Sequence, residues 1–176
     1  MPRHVAFLRG VSPSNASMPR LKQAFEAAGF TEVRTLLSSG NVIFRAPRQS
    51  PTQLARRAEE SMQRVLGRTF GTIVWTVEAL AALVATDPFA AFPLPAGAKT
   101  VVTFLRHAPV SPPPLPLAAD GARLLALRGT VLLTAYVPHP KGARFMLLIE
   151  RTFGREVTTR TWNTLQKCVR AGQESR

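Results

Sequence analysis

The apolar residues in the first part of the chain recur with two different periods. Alternation with a period of two predicts strands at residues 3–10, 31–37, 41–45 and 70–77. Apolar residues spaced three and four apart predict helices between them, one from Ser17 to Gly29 and one beginning at Ser50. The resulting order is βαββαβ, and in an antiparallel, ferredoxin-like plait two helices pack on one face of four strands.

The centre of this unit is a predicted hairpin around Ser38-Ser39-Gly40-Asn41. Apolar and β-branched residues flank the turn on both sides, as packed strands require. A glycine beside an asparagine supplies the positive φ that a tight reversal needs. Arg34 and Arg45 flank the hairpin. It therefore carries polar and cationic groups but no recognisable catalytic set.

A second, smaller α+β lobe is predicted to follow the plait. A helix from Glu78 to Ala85 ends before Asp87-Pro88, and three prolines and a glycine in residues 88–97 indicate a boundary. We therefore expect a plait lobe at residues 1–92 and a second lobe, which includes the C-terminal helix, at residues 93–176. Its predicted elements are a strand at 100–105, a hairpin with strands at 122–127 and 130–137, an amphipathic helix near 145–153, an extended segment at 156–159 and a helix at 161–170.

The composition is that of a folded protein. The 176 residues are 45% hydrophobic, which is enough for one good core or two small lobes. No apolar run approaches the ~20 residues needed to span a bilayer, and the N-terminus shows no signal-peptide pattern. The single cysteine, Cys168, cannot form an internal disulfide. We expect a cytoplasmic protein without a membrane partner, whose oligomeric state the sequence does not predict.

The net charge of +13 is the strongest compositional signal. Twenty-three Lys and Arg residues stand against ten acids, and such an excess favours polyanionic partners, nucleic acid among them. The alternative interpretation is that an arginine-rich composition simply places these side chains on solvated faces. Four basic residues at strand ends and in an exposed loop are candidates for nucleic-acid contact: Arg34, Arg45, Lys141 and Arg144.

The patterns of common enzymes and metal sites are missing from the sequence. His4, His107 and His139 lie far apart, two of them flank strand ends where a solvated histidine is expected, and no zinc-type spacing occurs. Cys168 falls inside a predicted helix, which favours a buried, inert thiol. No Gly-x-Gly-x-x-Gly, Walker lysine motif or evident pair of acid–base carboxylates is present. The sequence predicts no metal or cofactor, and it leaves open whether the protein is an enzyme.

Base stacking on the sheet is not the favoured interpretation. In a βαββαβ plait the first and third strands lie side by side, where RNA-recognition modules stack bases. This sheet offers only Phe7 and Phe44, and Val42 and Phe44 alternate like core residues. Asn41 and Arg45 are expected on the face opposite Phe44. Contacts from loops and helix starts to phosphate or another polar ligand are therefore better supported.

Three motifs in the chain resemble those of one bacterial family. They are Phe7-Leu8-Arg9-Gly10-Val11, Leu37-Ser38-Ser39-Gly40-Asn41-Val42-Ile43-Phe44 and Thr158-Thr159-Arg160-Thr161-Trp162-Asn163-Thr164. Their order and spacing resemble the domain of unknown function 1697 family. The resemblance spans nearly the whole chain and implies an α+β fold with two plait-like lobes. It implies no particular activity, because the family has no established one.

The resemblance also implies where a shared ligand site would lie. The matching residues, which are the ligand-binding candidates, are Arg9, Gly10, Ser39, Gly40, Asn41, Arg160, Trp162, Asn163 and Thr164. The chain departs from the family at Ser12-Pro13-Ser14-Asn15, where the family has a glycine-rich loop, and at Ser38 and Thr161. Structural roles are the alternative: Ser39 and Asn41 holding the turn, Arg160 bonding a carbonyl or Glu156, and Trp162 packing as an anchor.

The leading hypothesis is a protein that binds a polyanion, with nucleic acid as the first candidate. The alternative is a protein, or an enzyme, that binds a small anionic molecule in a polar cleft between the two lobes. A third hypothesis is an interaction module that uses the proline-rich segment Pro109–Pro116. That segment excludes a helix and favours polyproline II, and a stiff connection between strands is its favoured interpretation.

Overall fold

The computed structural model of the protein describes residues 1–174 and divides into two compact units. Unit 1 comprises Met1–Ala85 and the chain from Leu165 onward, and unit 2 comprises Thr86–Thr164. The C-terminal helix thus belongs mainly to unit 1. In chain order unit 1 contains β1 (Arg3–Leu8), α1 (Met18–Ala27), β2 (Thr31–Leu36), β3 (Asn41–Arg45), α2 (Pro51–Leu66), β4 (Thr72–Thr76) and α3 (Val77–Ala85).

Unit 1 is built on an antiparallel sheet with the strand order β2-β3-β1-β4, so the predicted βαββαβ arrangement is confirmed. Helices α1 and α2 pack on one face through a core that includes Leu8, Phe25, Phe44 and Leu54. Ser50 caps the N-terminus of α2, and its side chain accepts from the backbone N–H of Gln53 in a capping box. The capping residues and the buried face of α2 therefore both match the helix predicted from the sequence.

The opposite face of this sheet is covered by helices as well. Helix α3 contacts β1 and β4, and a further helix, α5 (Trp162–Gln173), brings Gly172 against Val77 of α3. Phe7 on this face is 0% exposed, and Phe44 is equally buried on the other face. Neither aromatic side chain is accessible to a nucleic-acid base, so base stacking on Phe7 or Phe44 is excluded.

His4 is a buried member of the unit 1 core. It lies within β1, is 2% exposed and stacks on Phe44 with ring centroids 5.4 Å apart. Burial lowers the pKa of His4 by more than a backbone hydrogen bond involving Pro2 raises it. The neutral imidazole therefore acts as part of the core.

Unit 2 contains a second antiparallel sheet. After a short 3₁₀ helix at Pro88–Ala91 come β5 (Lys99–Leu105), β6 (Leu117–Ala119), β7 (Ala122–Arg128), β8 (Val131–Tyr136), α4 (Arg144–Phe153) and β9 (Val157–Thr161). The strand order is β6-β7-β8-β5-β9. Helix α4 packs against the sheet through Ile149, which is buried with Leu105, Leu124 and Leu132. The two sheets and their helices confirm the predicted α+β class.

Strand β6 was not predicted from the sequence. It pairs with β7 across Asp120-Gly121, where both residues have positive φ, of 51° and 79°. Asp-Gly with two positive φ angles is the chemistry of a two-residue type I′ hairpin turn. Residues 109–116 just before β6 contain no helix, as their prolines predict. Among residues 1–174, no helix is long and apolar enough to cross a membrane.

Candidate anion-binding site

The first two sequence motifs meet within unit 1. Leu8 donates its backbone N–H to the carbonyl of Gly40 at 2.8 Å, and Phe7 pairs with Asn41 in the β1–β3 register. A Cβ on Gly40 would lie 3.0 Å from the Cβ atoms of both Leu8 and Val11, and Gly40 has a φ of +83°. Only glycine fits this close approach. The turn is therefore packed against the end of β1.

Asn41 holds this turn. Its side chain is fully buried, and its Nδ2 donates to the carbonyl of Leu36 at 3.0 Å and to Ser39 Oγ at 3.1 Å. Nearby, Asn15 closes the loop after β1, because its Nδ2 donates to the carbonyl of Gly10 at 2.8 Å. These bonds support the structural interpretation of Ser39 and Asn41. A ligand contact by Arg9, Gly10 or this turn stays a prediction.

Two of the predicted nucleic-acid contacts, Arg34 and Arg45, belong to an ion-pair cluster in unit 1. We call it the arginine cluster, and its members are Arg3, Glu32, Arg34, Arg45 and Glu174. Glu32 Oε2 lies 2.8 Å from Arg45 Nε and 3.6 Å from Arg3 Nη2. Glu174 Oε2 lies 3.7 Å from Arg34 Nη1. Arginines Arg3, Arg34 and Arg45 thus each face a carboxylate of their own unit.

The arginine cluster also binds the end of α5. Arg3 donates to the carbonyls of Gly172, at 3.1 Å, and Glu174, at 2.9 Å, and Arg34 donates to the carbonyl of Ala171. The last carbonyls of a helix lack intrahelical partners and carry the negative end of its dipole. Cationic donors placed there stabilise the helix end against the sheet. The cavity among these side chains is about 10 Å³, the size of a single water site at most.

The carboxyl group of Glu32 responds to this environment. The hydrogen bond from Arg45, with the charges of Arg45 and Arg3, lowers the pKa of Glu32 despite partial desolvation. Glu32 itself has a positive φ of 49° at the β2–β3 register shift, which aims its side chain from an irregular strand end. A contact of Arg34 or Arg45 with nucleic acid stays a prediction.

The third motif lies in unit 2 around the start of α5. Arg160 is only 8% exposed, and its Nη1 donates to Thr158 Oγ1 at 2.7 Å and to the carbonyl of Thr159 at 2.8 Å. The Thr161 hydroxyl caps α5 by accepting from the backbone N–H of Thr164 at 3.2 Å. Trp162 packs edge-on against Phe89, with ring centroids 5.3 Å apart. These contacts favour structural roles, and ligand contacts by this motif, Asn163 included, stay predictions.

The other two predicted nucleic-acid contacts, Lys141 and Arg144, are brought together in unit 2. They line one concave surface of about 370 Å³, which we call the α4 groove. Its lining residues are Ala119, Asp120, Lys141, Arg144, Leu147, Leu148 and Arg151. Three of these are cations and one is a carboxylate. The α4 groove therefore combines a net positive charge with apolar surface.

Local structure explains how the α4 groove forms. Residues 144, 147, 148 and 151 follow the spacing i, i+3, i+4 and i+7, which places them on one face of α4. The two-residue turn at Asp120-Gly121 projects Asp120 toward this face, where its Oδ1 lies 3.5 Å from Arg144 Nη1. The loop before α4 contributes Lys141, which is exposed. One helix face, one turn and one loop thus make the site.

Sequence analysis missed Asp120, Leu147 and Arg151 as members of this site. Arg151 could have been found, since it lies two helical turns after Arg144 with leucines between them. Asp120 could have been found from the Asp-Gly hairpin signal. No cluster of three or more His, Cys, Asp or Glu side chains able to hold a metal ion occurs in residues 1–174. The α4 groove can therefore bind a ligand through positive charge and hydrogen-bond donation by its Lys and Arg side chains.

The fold and the α4 groove together define an α+β protein of two units with a cationic groove in the second. A family model described as "Protein of unknown function (DUF1697)" matches residues 1–121. The chain belongs to this family, which confirms the resemblance of the sequence motifs. Comparison with curated proteins found no significant match.

A solved structure supports the same fold. The conserved bacterial protein SP0830 from Streptococcus pneumoniae is similar to this chain with a TM-score of 0.69, over 99% of each chain. The sequences are 18% identical. At this identity the likeness concerns the fold alone. The function has to be argued from the site.

Proposed function

We propose that this protein binds polyanions, nucleic acid foremost, along the α4 groove. The carrying observation is that Lys141, Arg144 and Arg151 line one groove with a single carboxylate. Arg144 and Arg151 are seven residues apart on a helix, so their backbones are separated by about 10 Å along its axis. A ligand with several linked negative charges can contact cations at this spacing at once, whereas one small phosphate cannot. The net charge of +13 adds long-range attraction.

The small-molecule alternative has one observation in its favour. The groove volume of about 370 Å³ falls in the range of roughly 300–1,000 Å³ typical of small-ligand sites. An anionic molecule with an apolar portion would match its cations and leucines. This alternative predicts saturable binding of one small anionic compound, with an affinity that does not increase when further charged units are linked to it. The predicted cleft between the lobes, and an enzymatic activity there, stay predictions.

A salt titration with fluorescent DNA and RNA oligonucleotides tests the polyanion proposal. Polyanion binding releases counterions, so log Kd should rise linearly with log salt concentration. The double variant Lys141→Ala/Arg151→Ala should weaken binding at least tenfold at low salt. It should also lower the slope by about 1.5, because each lost phosphate contact removes about 0.7–0.9. Affinity in the millimolar range at low salt, or no salt dependence, would contradict the proposal.

Two further variants make this test specific to the groove. Arg128→Ala is the matched control, because exposed Arg128 lies at the far end of β7, about 20 Å from Ala122 along the strand. It removes one charge but should change affinity less than about twofold. Asp120→Asn should tighten binding about two- to fivefold, because it removes the carboxylate that pairs with Arg144. Weaker binding by Asp120→Asn would indicate that the ligand does not approach Arg144.

A further inference from the structure

The α4 groove contains an apolar side chain that a phosphate backbone alone would leave in water. Leu147 is 61% exposed, although it lies between Arg144 and Arg151 on the groove-lining face of α4. Leu148, one residue on, lines the same groove and is partly buried in the core below. Desolvating Leu147 would favour binding of any ligand that brings an apolar surface with its negative charges.

An aromatic pair borders the same site. The rings of Tyr136 and Phe145 are stacked with centroids 4.0 Å apart and planes 12° apart, and both residues are partly exposed. A small cavity lined by these two rings also contains Asp120 and Arg144, which are members of the α4 groove. Cations, a leucine and an aromatic stack are therefore contiguous in unit 2.

From this combination we infer that the α4 groove selects single-stranded nucleic acid over duplex. This inference rests on the proposed function and names its substrate class. A duplex presents phosphates outside and keeps the faces of its bases stacked inside, so it cannot cover Leu147 with a base. A single strand exposes base faces, which stack on aromatic or apolar side chains while its phosphates contact Lys and Arg.

The shape of the site favours a nucleotide strand over a lipid surface. A membrane binds apolar side chains that protrude from a protein, together with a basic rim. Here the cations line a concave site of about 370 Å³, and Leu147 is one of its lining residues. A volume of this size is in the small-ligand range and can take a nucleotide but not a double helix.

The test compares a single strand with an abasic strand of equal charge and with a duplex, which carries about twice as many phosphates. The probes are an oligo-dT of about twelve nucleotides, within the site sizes of single-strand binders, an abasic strand with the same number of phosphates, and the matching duplex. We expect the oligo-dT to bind about five- to tenfold more tightly than either of the others at equal salt. Phosphatidylcholine vesicles containing phosphatidylserine are the fourth probe and should not compete.

Two readouts locate the base contact. Leu147→Ser should weaken oligo-dT binding about three- to fivefold and abasic-strand binding less than twofold, because it removes only apolar surface. Val110→Ser, which truncates another exposed apolar residue of unit 2, is the matched control and should change neither. Tyr136 is the only tyrosine in the sequence, so 3-fluorotyrosine gives a single ¹⁹F probe beside the groove. Its signal should move with oligo-dT and not with the abasic strand.

The outcomes separate this inference from the proposed function. One outcome is that all nucleic acids bind equally, that Lys141→Ala/Arg151→Ala weakens the binding of all of them and that Leu147→Ser weakens none. In that case the groove contacts phosphates only, and the inference is wrong. If no nucleic acid loses affinity in Lys141→Ala/Arg151→Ala, or if only vesicles bind, both the inference and the proposed function are wrong.

Discussion

Three cationic side chains converge in each of the two units, but their surroundings differ. In unit 1, Arg3, Arg34 and Arg45 share a cavity of about 10 Å³ with two glutamates. They also donate to backbone carbonyls at the end of α5 and at Met1. In unit 2, the three cations of the α4 groove share about 370 Å³ with a single aspartate. The cations of unit 1 are paired with carboxylates of their own unit, whereas those of the α4 groove line a larger concavity with one carboxylate among them.

This difference shows what a net charge does and does not indicate. Buried or half-buried arginines that bond helix carbonyls and carboxylates contribute to the fold, and their charge is largely compensated locally. Cations around an open concavity with one carboxylate create a positive potential for a ligand. Basic side chains therefore stabilise the fold in the arginine cluster and create a positive potential at the α4 groove. Variants of the two regions should therefore differ in whether they change stability or oligonucleotide affinity.

The largest effect is expected where α5 closes over the arginine cluster. Gly172→Leu should destabilise the protein by about 3 kcal/mol, because even a Cβ at this position would lie 2.6 Å from a Val77 methyl group. The helix would have to move, and the carbonyl that Arg3 bonds moves with it. Urea unfolding followed by circular dichroism measures the loss.

A neighbouring substitution provides the control for this prediction. Gln173→Leu adds a side chain of the same size at an exposed position of the same helix and should change stability by less than about 0.5 kcal/mol. Equal effects of the two substitutions would show that Gly172 does not pack closely on Val77. Oligonucleotide affinity of the folded fraction should be the same in both variants.

A smaller effect is expected from the arginine cluster itself. The double variant Arg34→Ala/Arg45→Ala should lower the free energy of unfolding by about 1 kcal/mol for each of the two arginines. Each arginine makes charge-assisted hydrogen bonds or ion pairs that the variant loses. It should change oligonucleotide affinity no more than Arg128→Ala does. Lys141→Ala/Arg151→Ala should show the reverse pattern, with stability within about 0.5 kcal/mol of the parent. A large loss of oligonucleotide affinity with unchanged stability in Arg34→Ala/Arg45→Ala would show that the arginine cluster, and not only the α4 groove, binds the ligand.

The smallest effect is a pH dependence from Glu32. Because Arg45 and Arg3 lower its pKa below the ordinary 4.5, the folded protein binds this proton less readily than the unfolded chain. The contribution of Glu32 to stability is therefore complete above about pH 4.5 and is lost as pH falls through the folded-state pKa. Urea unfolding of the parent and Glu32→Gln between pH 7 and pH 3 should give curves that converge at the acid end. Parallel curves would mean that the ion pair does not form.

Much of the fold could be predicted from local signals. The hairpin at Ser39-Gly40-Asn41, the capped start of α2 and the inward stripe of α4 each depend on short-range patterns of turn chemistry and periodicity. Strand β6 was missed because three residues are too few to show alternation. Its Asp-Gly turn is a hairpin signal, but the prolines just before it favour polyproline II over a paired strand.

The site was predictable only in part. The sequence predicts Lys141 and Arg144 as basic residues able to contact nucleic acid, but their meeting with Arg151 and Asp120 depends on how α4 lies on the sheet. Conversely, Arg34 and Arg45 are candidates because they flank the hairpin, and in the structure they face Glu174 and Glu32. The position of a basic residue beside a turn in the sequence does not specify which carboxylate or carbonyl will lie near its side chain in the fold.

The sequence by itself determined the order of the strands and helices apart from β6, most of the capping and turn residues, the basic excess and the family. These properties depend on interactions within a few residues or on composition. Only the tertiary structure decided that one set of arginines is compensated beneath α5, that both faces of the unit 1 sheet are covered, and that three cations and Leu147 share an open groove. The physical reason is that burial and pairing depend on residues distant in the chain, and only the packed fold brings those together.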